Sequence, residues 1–106
     1  RIAVALTQND LMLVAIVPED LKDKVVDTLM EETFISGFSL AKIQGFSKEH
    51  SHYNIREQVE GYRDFFRFEV LHQASTSEQL CKLLSKTNND KRIRYWILPL
   101  IEAGIL

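Results

Sequence analysis

The sequence predicts an α+β domain, with one antiparallel four-stranded sheet and two helices on one face. Three observations predict it. Four apolar runs of strand length are bounded by proline, glycine or polar clusters. Two intervening segments repeat apolar residues at three- and four-residue spacing, the signature of a helix with one buried side. The order is strand, helix, strand, strand, helix, strand, the ferredoxin-like βαββαβ arrangement. A chain of 106 residues fits one such domain and supports a core without a metal or disulfide.

Each element has its own reason. Residues 1–10 end in the polar cluster Thr7-Gln8-Asn9-Asp10 and are read as an N-terminal tail, with residues 11–106 as the domain. Leu11 to Val17 is continuously apolar and closed by Pro18, which predicts a strand buried on both faces. Helices cover only one face of a two-layer sheet, so a partner subunit is the simplest cover for the other. Asp20 is placed to cap a helix whose apolar side is Leu21, Val25, Val26, Leu29 and Met30. Phe38 to Phe46 follows as a strand, then Phe65 to Leu71, where Phe66, Phe68 and Val70 share a face. Ser75 and Glu78 have capping-box spacing ahead of a helix through Leu80, Cys81, Leu83 and Leu84. Thr87-Asn88-Asn89-Asp90 breaks it, and Ile93 to Leu98 is the last strand, ended by Pro99. The remaining tail, Leu100 to Leu106, is apolar enough to be expected to pack on something.

Composition removes several classes of function. A net charge of −2 gives no basic footprint for nucleic acid. Tyr62-Arg63-Asp64-Phe65-Phe66-Arg67-Phe68 superficially resembles the aromatic third strand of an RNA-recognition motif. Asp64, however, stands where a small residue is usual. No glycine-rich phosphate loop with a following arginine supports an acylphosphatase-like enzyme, and no local Cys–His pair supports nucleophilic catalysis around Cys81. Cys81 is expected as a small buried hydrophobe, and the single cysteine fits a reducing compartment. No apolar run approaches the ~20 residues of a membrane span. Arg1 to Leu6 is too short an apolar start for a signal peptide. A cytoplasmic, non-enzymatic protein is expected.

Three stretches resemble the PII family of trimeric signalling proteins, and in particular its uncharacterised PII-like branch. The first is the strand and helix of Leu11 to Met30. The second, Ile35-Ser36-Gly37-Phe38-Ser39-Leu40-Ala41-Lys42-Ile43-Gln44-Gly45-Phe46-Ser47, is similar to the family's second strand and its Lys-Gly-Phe-Gly ending. The third, Trp96-Ile97-Leu98-Pro99-Leu100-Ile101-Glu102-Ala103, is similar to the family's final Val-Leu-Pro-Val strand and short tail. The resemblance implies a homotrimer with its sheets around a threefold axis. It makes residues 47–62 the counterpart of the T-loop that contacts partner proteins, with Lys48, Glu49, His50, His52, Tyr53 and Arg56 as contact candidates. It also implies a ligand site between subunits, built from Gly45 at the loop base and from Lys91, Arg92 and Arg94 before and within the last strand. Some members of that branch resemble companions of heavy-metal efflux systems, which makes a membrane transporter a candidate partner.

Two departures from the family pattern argue against adenine nucleotide as the ligand. The family's Thr-Gly-x-x-Gly-Asp-Gly-Lys loop is replaced by Thr87-Asn88-Asn89-Asp90-Lys91-Arg92-Ile93-Arg94, without glycine. The basic pair after the last strand is missing, and losing two charged contacts costs about 10²–10⁴-fold in affinity. Lys91, Arg92 and Arg94 can equally be read as an anion site or as a solvated charge run. His50-Ser51-His52 supplies two imidazoles on one side of an extended segment, with His72 as a third candidate, so a divalent metal remains open. Two ligands are too few for a tight site, and solvated histidines explain the pattern as simply. The alternative function is accordingly a metal-binding or metal-sensing trimer similar to the CutA-like proteins. Glu57, Glu60 and Asp64 read as solvated carboxylates, and Tyr95-Trp96 as core or subunit contact.

Overall fold

A computed structural model describes residues 9–46, 63–88 and 92–106. In chain order its elements are β1 (Leu11–Pro18), α1 (Lys22–Met30), β2 (Phe38–Gly45), β3 (Arg63–His72), α2 (Ser77–Ser85) and β4 (Arg94–Pro99). The sheet order is β2-β3-β1-β4, and every neighbouring pair is antiparallel. The order and type of all six elements match the sequence expectation.

Register assigns every side chain to a face, because directly opposed residues share one. Leu13, Ala15 and Val17 of β1 lie opposite Val70, Phe68 and Phe66 of β3. Phe38 and Leu40 of β2 continue those rows, as does Ile97 of β4. These residues meet Val25 and Leu29 of α1 and Leu80 and Leu84 of α2 in one core. The Phe38 and Phe68 rings lie 6.0 Å apart, tilted by 30°. Val25 and Leu29 are one helical turn apart, so they aim together at the sheet. Met30, expected on the same stripe, is rotated about 100° from Leu29 and is 71% exposed.

Both helix starts differ from expectation. A single 3₁₀ turn precedes each helix, Glu19–Leu21 and Ala74–Thr76. The helix boundary therefore falls after the predicted capping residues. The N-cap positions are Leu21 and Thr76, and neither gives its helix a side-chain cap. The Ser75 hydroxyl donates to Gln73 Oε1 at 3.5 Å. Thr76 Oγ1 donates to the Gln73 carbonyl at 2.9 Å.

Asp10, placed in the tail by the sequence reading, ties the sheet together at one end. Its amide donates to the His72 carbonyl at 3.1 Å, and its carbonyl accepts from Leu100 N–H at 3.0 Å. Its Oδ1 accepts from Ala74 N–H at 2.7 Å. One residue thus fixes the end of β3, the turn into α2 and the exit from β4.

Candidate functional site

Alternation along the strands leaves a second sheet face, turned away from the helices. Across its centre, Glu69, Val14 and Trp96 form one row, and Arg67, Ile16 and Arg94 the next. Leu71, Met12 and Leu98 form a third row beside them. Val14 and Ile16 are buried, each flanked by longer side chains on β3 and β4. Burial of β1 on both faces is therefore achieved within one chain. Trp96 and Leu98 remain 39% and 41% exposed. Tyr95, which turns to the helix side at the sheet edge, is 56% exposed. Neither Tyr95 nor Trp96 is a core residue. The apolar tail packs little on its own chain, since Ile101, Ile105 and Leu106 are all exposed.

Gly45 closes β2 against Arg63, the first residue of β3. A Cβ at Gly45 would stand 2.6 Å from two ring carbons of Phe65. The missing side chain thus makes room for an aromatic ring laid over the strand end. This glycine has a packing role where the resemblance gives it a ligand role.

The basic candidates separate into different situations. Lys91 lies outside the described residues. Arg92 grips Asp20 with both terminal nitrogens, at 3.2 Å and 2.7 Å, in a fork that joins the approach to β4 with the turn after β1. Its guanidinium therefore already holds a carboxylate. Arg94 is exposed on the helix-free face, opposite Ile16.

The segment before β4 is organised by Asn88, which the sequence marks only as part of a helix-breaking run. Asn88 Oδ1 accepts from the backbone amides of Arg92 at 2.6 Å and Ile93 at 3.1 Å. Buried Thr87 closes the end of α2 by donating from Oγ1 to the Leu84 carbonyl at 2.7 Å. The amides of Arg92 and Ile93 are thus occupied by an asparagine oxygen. The signal was present as asparagine just after a helix, a residue type that bonds locally to backbone amides.

His72 is 1% exposed. Its Nδ1 lies 3.2 Å from the Val70 carbonyl, so that nitrogen carries the proton. Its Nε2 lies 2.9 Å from Ser77 Oγ. With both ring nitrogens engaged inside the fold, His72 joins β3 to α2 and cannot serve as the third metal ligand. Among the described residues no cluster of three histidine, cysteine or acidic side chains could hold a metal ion. The remaining candidates, Lys48, Glu49, His50, His52, Tyr53, Arg56, Glu57 and Glu60, lie outside the described residues. Cys81 is a half-buried free thiol beside a small apolar cleft of about 110 Å³ between α2 and β4. Among the described residues no helix is long and apolar enough to cross a membrane.

Residues 7–106 match the model of a family described as "Protein of unknown function (DUF3240)". The chain belongs to the DUF3240 family. A solved DUF3240 protein from Shewanella baltica OS155 is similar to it, with 40% identity over 92% of this chain and 97% of that one. The two superpose with a TM-score of 0.77. No curated protein matches the chain. DUF3240 membership thus covers β1 through the apolar tail, so the helix-free face and the segment from Asn88 to Arg94 both fall within the family's own domain.

Proposed function

We propose that this DUF3240 chain is a non-enzymatic regulatory protein of the PII-like kind. It assembles as a homotrimer through the helix-free sheet face and offers residues 47–62 to a partner protein, a membrane transporter or another regulated protein. A small ligand between subunits at the base of that stretch controls the contact. The observation that carries the reading is the helix-free face itself. Its middle holds Val14 and Ile16, and Trp96 and Leu98 stand beside them partly exposed. Apolar faces of this kind mark association surfaces. The strand order adds support: β2 and β3 are neighbours, so residues 47–62 leave and re-enter at one end of the sheet.

The ligand in this reading is not an adenine nucleotide bound in the usual family manner. Asn88 Oδ1 occupies the amides of Arg92 and Ile93, and Asp20 occupies the Arg92 guanidinium. A triphosphate would have to displace both. Light scattering on the purified protein tests the assembly, with the mass of three chains as the expected result. A stable monomer at micromolar concentration would sink the proposal.

A further inference from the structure

The two edges of the sheet are unlike. Strand β2 carries Lys42 midway, 3.9 Å from both Glu19 and Asp64, and a lysine on an edge strand discourages pairing with other chains. Strand β4 reads Arg-Tyr-Trp-Ile-Leu-Pro, and its one charge, Arg94, is its first residue. Leu100 N–H donates to the Asp10 carbonyl, which fixes the phase of the β1–β4 ladder. Arg94, Trp96 and Leu98 turn their backbone N–H and C=O groups towards Ile16, Val14 and Met12 of β1. Tyr95 and Ile97 therefore turn theirs outward, where no segment among the described residues pairs with them. Beside this edge, on the helix side, lies the cleft of about 110 Å³ walled by Leu13, Cys81, Leu84, Ile93 and Tyr95.

We propose that β4 is a docking edge for an extended peptide of a partner protein, which adds a strand outside β4 and sets an aliphatic side chain in the cleft beside Tyr95. What the edge offers defines the occupant. Backbone donors and acceptors at alternate residues are matched by another extended backbone, because a helix has its own already engaged. A residue opposite Tyr95 shares its face, so every second side chain of the peptide points to the helix side, where the cleft is apolar. From Tyr95 to Leu98 the edge has no charge, so the peptide is uncharged along the same length. The docking uses the outer edge and the helix side of β4. It leaves the helix-free face to the assembly proposed above and does not depend on it.

Amide hydrogen exchange followed by NMR tests this on the purified protein. The probe is an acetylated and amidated peptide of about six residues, alternating leucine and threonine. Without peptide, the Tyr95 and Ile97 amides are expected to exchange at least about tenfold faster than those of Trp96 and Leu98, which are bonded to β1. Added peptide slows Tyr95 and Ile97 by about tenfold or more. Two control peptides are N-methylated at alternate amides, in opposite phases. One phase blocks the edge and weakens binding about tenfold, while the other binds as the parent peptide does. Tyr95→Pro removes an outward donor without breaking the ladder to β1, so it should keep its circular dichroism and bind the probe several-fold less tightly. If that variant unfolds, the methylated pair decides alone. Tyr95 and Ile97 amides already protected without peptide would mean that a second copy holds the edge, and would overturn the proposal. Exchange unchanged at millimolar peptide would overturn it too, as would two methylated peptides that bind equally well.

Discussion

At the scale of single residues, two positions of this chain have structural roles that can be measured directly. Gly45 sits beneath the Phe65 ring, and a methyl group there would overlap it. Gly45→Ala is expected to destabilise the subunit by about 1–3 kcal/mol, the usual cost of an overfilled site. Urea unfolding of Gly45→Ala in the native and Phe65→Leu backgrounds checks this. The loss should shrink with leucine, which can swing aside; an equal loss in both would mean that Phe65 is not the obstacle. His72 makes a parallel case. A lone histidine at a strand end reads as structural, with a metal ligand as the other candidate, and the fold uses it to link the Val70 carbonyl to Ser77. Nothing local in the sequence distinguishes these uses. One ring partner is the Val70 carbonyl two residues back on the same strand, and the other, Ser77, comes from a helix start that the folded backbone brings alongside.

At the scale of elements, the strands were legible and the joints between them were not. The run Leu11 to Val17 and the alternation of Phe66, Phe68 and Val70 reveal strands because burial is imposed residue by residue along an extended chain. Helix starts depend on finer geometry. At each of them one 3₁₀ turn moves the boundary past the residue expected to cap it. Joints such as Asp10 with Leu100, or Arg92 with Asp20, connect residues far apart in sequence, and no local pattern announces them. The Asn88 bridge belongs to this class and can be tested directly. Asn88→Ala leaves two backbone amides without their acceptor and should cost about 1–3 kcal/mol. Asn88→Asp keeps an oxygen in place and should stay much closer to the native stability. Thermal unfolding of the two variants separates them, and equal losses would show that the acceptor is not what matters.

At the scale of the whole molecule, the sheet has one face under two helices and, among the described residues, one face with no helix on it. Sequence reading foresaw a two-sided β1, but for an incomplete reason. Val14 and Ile16 are already buried by side chains of β3 and β4, so β1 alone does not demand a partner. What asks for a cover is the partial exposure of Trp96 and Leu98. Replacing both with glutamate places new charges on the proposed contact without touching the helix-side core. The Trp96→Glu, Leu98→Glu double variant is expected to be a folded monomer by light scattering and circular dichroism. An assembly of unchanged mass would move the contact to another surface.

The sheet order also governs the birth of the protein. Of the four described strands β1 leaves the ribosome first, yet both of its neighbours, β3 and β4, follow β2 in the chain. Leu11 waits about 60 residues for its first partner, His72, which at ~5–20 residues per second is several seconds of synthesis. Throughout that interval the most apolar strand of the chain has no sheet to join. Nascent β1 is therefore the segment most in need of a chaperone, and synonymous changes that slow translation between β2 and β3 would lengthen its exposure.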